Sequence, residues 1–193
     1  MPQGTIPLAE AIVRRRSIRS FTAQPVSQAQ LSQLLLLTQG ITDASWGLRA
    51  VPSAGATYPL ELFIVCGDST ITGLAGGVYR YRPDNRSVVR HHEGDIRAEL
   101  ARAALDQDFI RRAPLVIIIC AIYERTTRRY GKRGERYVHM EVGHAGQNIY
   151  LQATALGLGT AAVGAFDDEQ VRQVLRLEKQ YQPLYIMPVG WPA

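Results

Sequence analysis

The chain has 193 residues, 46% of them hydrophobic and 20% charged, and no linker-like stretch divides it, so residues 1–193 are expected to form one domain. Its formal net charge is +5, which arginine supplies almost entirely. Charge alone permits nucleic-acid binding, but there is no helix-turn-helix, no RNA-binding motif and no regular interleaving of arginines with aromatics. No nucleic-acid partner is therefore expected.

Residues Met1 to Glu10 lack the basic start and apolar block of a signal peptide. Cys66 and Cys120 each lie in an apolar, strand-like run, which favours buried free thiols over a disulfide. Both observations predict a cytoplasmic location.

The first half of the chain predicts two helices, a strand and a hairpin. The second helix has Ser27 as its N-cap and Gly40 as its stop signal. In chain order, the predicted elements are helices at 7–16 and 26–40, a loop at 41–56, a strand at 60–66, and hairpin strands at 77–81 and 87–90.

The second half mixes helices with buried strands. Leu115 to Ile122 is wholly apolar and rich in β-branched residues, as in a central strand covered on both faces. The predicted elements are a helix at 95–105, a looser segment at 107–112, strands at 115–122 and 160–164, a central helix ending near 156, a helix at 167–177 and a strand at 184–189. This order, without strict alternation, predicts an α+β fold, a three-layer α/β/α sandwich.

The central helix carries no charged side chain from Val142 onward, apart from a possible charge on His144. Because it is apolar on all sides, it is expected to be buried on all sides, in a core or an interface. Gly143 and Gly146 are explained if another backbone approaches closely there. The uncharged run is long enough to span a bilayer, but hydrocarbon would not satisfy polar residues such as Gln147, so no membrane span is expected.

Common catalytic and metal-binding motifs are absent. There is no Walker loop and no HExxH, and Gly157–Leu158–Gly159 follows a helix where a dinucleotide fingerprint would follow a strand. His91 and His92 are interpreted as a solvated edge. No metal site is expected.

Three segments together resemble the flavin-dependent nitroreductase family. They are RRSIRSF at 15–21, PSAGATYPLE at 52–61, and GHAGQN at 143–148 continuing through ALGLG to GAFD at 164–167. The second and third are similar to the branch that includes the azoline dehydrogenases of thiazole/oxazole-modified peptide pathways. The resemblance covers nearly the whole chain. It implies a central mixed, mainly antiparallel sheet and an obligate homodimer that binds two FMN molecules between its subunits.

The resemblance also implies roles for particular residues. The first segment would meet the FMN phosphate or the charge of the reduced ring, and the loop at 52–55 would reach the partner's flavin. Backbone N–H groups at 163–165 would face flavin N5, and Gln107 its pyrimidine edge. The implied cofactor-binding residues are Arg15, Arg16, Ser17, Arg19, Pro52, Ser53, Ala54, Gly55, Gln107, Val163, Gly164 and Ala165. From the residues alone, a solvated basic surface and a plain surface turn explain the first two segments as well.

Two departures from the family pattern matter. Many members continue past the last strand with basic residues for the phosphate, whereas this sequence ends at Gly190–Trp191–Pro192–Ala193, so the N-terminal arginines would carry that role. Azoline dehydrogenases use a Lys–Tyr pair before the central helix, and the nearest pair here is Arg129–Tyr130. Arginine is a poor general base, which leaves Tyr130 as the candidate catalytic acid or base.

The leading hypothesis is an FMN-dependent oxidoreductase that passes hydride from NAD(P)H through flavin N5 to a small organic acceptor in two half-reactions. Peptide azoline oxidation with partner proteins is the alternative in the same class. A non-catalytic flavin-binding protein and a basic nucleic-acid-binding domain are the hypotheses from other classes.

Overall fold

A computed structural model of the chain describes residues 6–193. Residues 1–5, which begin the segment that lacks signal-peptide features, lie outside the described residues. A six-stranded sheet forms the centre, in the order β5-β4-β3-β6-β8-β7. Its strands are β3 (Leu60–Cys66), β4 (Gly77–Arg82), β5 (Ser87–Glu93), β6 (Leu115–Ala121), β7 (Gly159–Thr160) and β8 (Gln182–Gly190). These strands pair antiparallel, and a parallel bridge from Ser17 to Thr160 makes the sheet mixed.

The two middle strands contribute side chains to two hydrophobic cores, one on each face of the sheet. Every residue of β3 and β6 is buried, and the strands pair along their whole length, with Phe63 opposite Ile118. Because side chains alternate across a strand, Leu62 and Ile117 enter one core while Phe63 and Ile118 enter the other. The sheet is therefore covered on both faces, as the apolar run of β6 predicts.

Helices complete a three-layer α/β/α sandwich. One layer contains α1 (Leu8–Arg14), α2 (Gln28–Gln39) and α6 (Arg133–Ala155). The other layer contains α3 (Arg97–Ala103), α4 (Phe109–Arg112) and α7 (Asp168–Val174). The short helix α5 (Glu124–Tyr130) leads into α6. Ser27 caps α2 in a capping box with Gln30, and Asp167 caps α7. The predicted fold class is confirmed.

Two local predictions were wrong. The predicted loop at 41–56 contains a small hairpin of β1 (Ile41–Asp43) and β2 (Leu48–Arg49) and a 3-10 turn at Ala54–Ala56. The predicted strand at 160–164 shortens to β7 and a bridge from Val163 to Ile186. Strands of two or three residues are too short to show alternation.

The central helix α6 is buried on only one side within the described chain. Val138, Ala145 and Ile149 enter the core, whereas Gly143 and Gln147 are exposed and Met140 is 49% exposed. The sequence predicts that this helix is buried in a core or in an interface. Its exposed face is available for an interface. Among residues 6–193, no helix has both the length and the apolar character needed to cross a bilayer.

Candidate functional site

The segment after α1 is held against the sheet edge by strand-like bonds. The Ile18 N–H donates to the Thr160 carbonyl at 2.9 Å, next to the Ser17–Thr160 bridge. Gly159 permits this approach, because a Cβ there would lie 2.7 Å from the Cβ of Ile18. The predicted residues Arg15 to Arg19 are thereby placed beside β7.

Tyr150 of α6 joins this segment to the chain after β7. Its hydroxyl lies 2.9 Å from the Ser17 hydroxyl and accepts a hydrogen bond from the Ala162 N–H at 2.8 Å. The Arg15 guanidinium lies 5.0 Å from the centroid of the Tyr150 ring, a cation–π contact. Sequence reasoning missed Tyr150, although a hydroxyl in an otherwise apolar segment was a usable signal.

The predicted amide segment lies in the same region. Both backbone groups of Val163 pair with Ile186, so the Val163 N–H is occupied. Gly164 and Ala165 are exposed, and in the described part of the chain their N–H groups donate no hydrogen bond. Gln107 fixes the segment by donating to the Ala165 carbonyl at 2.9 Å.

We call Arg15, Ser17, Arg19, Tyr150, Gly164 and Ala165 the arginine–amide cluster. Arg15 and Arg19 contact the rings of Tyr150 and Phe109 and, among residues 6–193, no carboxylate. Arg16 turns away and donates to the carbonyls of Val13 and Arg15, where it caps α1. Two guanidiniums without a counter-charge, on a segment that Tyr150 joins to the chain carrying two free amides, suit an anion.

The loop at 52–55 lies elsewhere, against the N-terminal half of α6. The Ser53 hydroxyl accepts from the Tyr58 N–H at 2.9 Å, and Gly55 adopts a φ of +59°. Arg129 donates to the Gly55 carbonyl at 3.1 Å, and a Cβ on Gly55 would lie 2.5 Å from the Tyr130 hydroxyl. The candidate catalytic Tyr130 is thus brought to this loop.

Glu141 of α6 is the charged residue that sequence reasoning missed in this region. It is 3% exposed, its Oε1 has no hydrogen-bond partner in the described chain, and it lines a cavity of about 270 Å³ with Pro52, Ser53 and Ala54. Burial raises its pKa to about 7, opposed by a hydrogen bond from Ser53 and by the charge of Arg49. Its spacing from Val138 and Ala145, on the buried face, was the available signal.

We call Pro52 to Gly55, Tyr130 and Glu141 the loop cluster. Along α6, Glu141 and Tyr150 are separated by roughly two and a half turns, about 14 Å. One chain therefore does not bring the loop cluster and the arginine–amide cluster together. Within residues 6–193, no group of three or more His, Cys, Asp or Glu side chains is placed to hold a metal ion.

The sequence profile of the nitroreductase family matches residues 12–191, nearly the whole chain. The chain belongs to the nitroreductase family. A nitroreductase homologue from Methanocaldococcus jannaschii is 51% identical over 185 residues, which cover 96% of this chain and 91% of that protein.

Two further family relatives are more distant. The microcin B17-processing protein McbC of Escherichia coli is 28% identical over 83% of this chain and 60% of its own length. An FMN reductase [NAD(P)H] of Bacillus subtilis is 23% identical over 95% of this chain and 65% of its own length. The chain thus spans less than two thirds of these two nitroreductase-family proteins.

A crystal structure of a nitroreductase homologue from Ralstonia eutropha matches the described fold with a TM-score of 0.86 and 25% identity. The match covers all of this chain and 86% of that one. The nitroreductase fold is therefore shared over the full described length.

Proposed function

We propose that the protein is an FMN-dependent oxidoreductase that uses NAD(P)H to reduce a small organic acceptor. One observation carries the proposal: Arg15 and Arg19 have no counter-charge among the described residues, and Tyr150 links the segment that carries them to Ala162, two residues before the free N–H group of Gly164. A dianionic phosphate ester on a polar chain, attached to a flat ring with acceptor atoms, suits such a set of donors. Family relatives whose names include FMN and NAD(P)H support the same cofactor and donor.

We propose further that two copies complete each site. Of the eight large hydrophobic residues that are exposed in the described chain, six lie on α1, on the β1–β2 hairpin or on α6: Leu8, Ile12, Val13, Trp46, Leu48 and Met140. One of them, Leu8, lines a groove of about 470 Å³ between α1 and α6. A second copy packed on this surface, with its α6 antiparallel, would bring its loop cluster to the arginine–amide cluster of the first.

Each residue then has a physical role. FMN supplies the two-electron chemistry, taking hydride from a reduced nicotinamide and giving electrons to the acceptor. The guanidiniums of Arg15 and Arg19 hold negative charge, and the Gly164 and Ala165 amides orient ring acceptor atoms without adding charge. Ser17 and Tyr150 fix the position of this segment. The small residues of the loop at 52–55 let its backbone come close to the ring.

The test is flavin content and reduction. We expect the purified protein to be yellow and to bleach anaerobically when NADH or NADPH is added. Arg15→Ala and Arg19→Glu should leave a folded protein and lower its FMN affinity at least tenfold, as loss of a charge-assisted hydrogen bond would. Arg14→Ala is the matched control, because Arg14 pairs with Glu10 at the surface. Full flavin content in both cluster variants would refute the assignment.

Azoline oxidation is a second candidate, favoured by the similarity to McbC and by the contact of Tyr130 with Gly55. In this proposal, a peptide azoline would give a hydride to bound FMN while the Tyr130 hydroxyl moves the proton, and a partner protein delivers the peptide. Arg129 is bonded to the loop and packs on Tyr130, so Tyr130 is the residue left for proton transfer. Tyr130→Phe should abolish oxidation of a thiazoline peptide and leave bleaching by NAD(P)H intact.

A further inference from the structure

A second cationic region lies outside both clusters, where β3 begins and β4 ends. It is a cleft of about 550 Å³, a volume in the range of small-molecule sites. Its lining residues are Arg49, Thr57, Tyr58, Glu61, Arg80, Tyr81, Arg82, Pro83, Asp84 and Arg125. Four guanidiniums face two carboxylates there, which leaves two positive charges in excess.

A buried carboxylate fixes two of these guanidiniums. The Glu61 side chain is 9% exposed, and its two oxygens bind different partners: Arg80 at 3.0 Å and Arg125 at 2.7 Å. Arg125 also donates to the Tyr58 carbonyl at 2.9 Å. Both side chains are held before any ligand arrives, which reduces the entropy lost on binding.

The other two guanidiniums have weaker or neutral partners. Arg49 donates to the Gln39 amide oxygen at 2.9 Å and lies 4.7 Å from the centroid of the Tyr58 ring. Burial lowers the pKa of Arg49, and the charge of Glu61 opposes this shift without a direct ion pair. Among the carboxylates of residues 6–193, Arg82 pairs only with the exposed Asp84, at 3.6 Å. These two residues carry the excess charge.

The charge excess and the fixed guanidiniums favour an anionic ligand. Guanidiniums bind phosphate oxygens through paired, charge-assisted hydrogen bonds. We propose that the cleft is a binding site for a phosphate monoester, whose two negative charges balance the two in excess and whose oxygens accept from the arginines.

Calorimetric titration of the protein as purified, at low ionic strength, tests this site. Inorganic phosphate, 2′-AMP and uncharged adenosine are the probes. We expect 2′-AMP to bind at least tenfold more tightly than adenosine, because only 2′-AMP presents the dianion. If inorganic phosphate binds as tightly as 2′-AMP, the site recognises the free ion; weaker phosphate binding shows that it takes a phosphorylated metabolite. If neither binds more tightly than adenosine, the proposal is wrong.

Arg82 is the residue to change, because its side chain is 49% exposed and has one weak partner, so folding should not depend on it. Arg82→Gln should weaken 2′-AMP about fivefold to tenfold, and Arg82→Glu more. Arg90→Gln and Arg90→Glu are matched controls on β5, with a similarly exposed side chain outside the cleft. Equal affinities in the Arg82 and Arg90 variants would overturn the proposal.

The cleft shares no residue with the proposed flavin site, so each of the two proposals can be refuted without the other. Arg15→Ala should lower FMN content and leave the 2′-AMP affinity unchanged. Arg82→Gln should lower the 2′-AMP affinity and leave FMN content unchanged. If Arg15→Ala abolishes 2′-AMP binding and Arg82→Gln does not alter it, the ligand occupies the arginine–amide cluster and the cleft is not its site.

Discussion

At the scale of single residues, Glu141 is the most informative side chain. It is buried with one oxygen unpartnered, and burial raises its pKa to about 7. The folded state therefore binds a proton more tightly than the unfolded state, where a glutamate titrates near its ordinary value of about 4.3. Stability from this residue is complete below the unfolded pKa and falls as pH rises towards about 7.

Glu141→Gln should remove this pH dependence. Glutamine keeps an acceptor for Ser53 and carries no charge to bury, so at pH 8 the variant should be more stable than the parent protein by roughly 1–3 kcal/mol. At pH 4 the two should be nearly equal. Urea unfolding at several pH values measures the difference, with the exposed Glu135→Gln on the same helix as control. A stability gain that is the same at all pH values would contradict the assignment.

At the scale of elements, the sequence predicted apolar runs and helix caps and missed a short element held by a few side-chain hydrogen bonds. The seven buried residues of β6 and the Ser27 cap of α2 are local patterns, and both were predicted. The β1–β2 hairpin depends on turn hydrogen bonds from Ser45 and Trp46 to Asp43, which no apolar period reveals.

Some residues of the candidate site were identified from the sequence, and others only from the structure. Arg15 to Arg19 and the loop at 52–55 were identified from their resemblance to a family, and their roles stay predictions. Tyr150 and Glu141 contact these segments from α6, and the packing of that helix against the loops shows which segment each of them meets. A single sequence carries no record of which helix face meets which loop.

Gly159 shows how one small residue positions a whole segment. A Cβ there would meet Ile18 at 2.7 Å, so Gly159→Ala should push residues 15–19 away from β7 and lower stability by about 1–3 kcal/mol. FMN affinity should fall with it. Ile18→Gly in the same chain removes all three clashing atoms, Cβ, Cγ1 and Cγ2, and should restore part of both losses, a coupling that a double-mutant cycle measures. Additive losses would show that the Ile18–Gly159 contact does not position the segment.

At the scale of the whole molecule, the proposed dimer would join the two separated clusters into one site. The midpoint between Glu141 and Tyr150 on α6 falls close to the exposed Gly143 and Gln147. A Cβ on Gly143 would meet nothing within 4 Å, so within one chain nothing requires a glycine there. A two-fold axis near this point would explain the glycine at position 143, because two helices cross most closely where side chains are smallest.

Gly143→Leu tests this arrangement without threatening the fold. Leucine is the better helix former by nearly 1 kcal/mol, and the position is open in the single chain. We expect the variant to remain folded, to become monomeric by sedimentation, and to lose most of its FMN, since each site would lack the partner's loop cluster. Arg102→Leu, which adds the same side chain to an exposed position on α3, should stay dimeric and yellow. A monomeric variant that keeps full flavin content would show that one chain holds the cofactor alone, and a dimer of unchanged affinity would place the interface elsewhere.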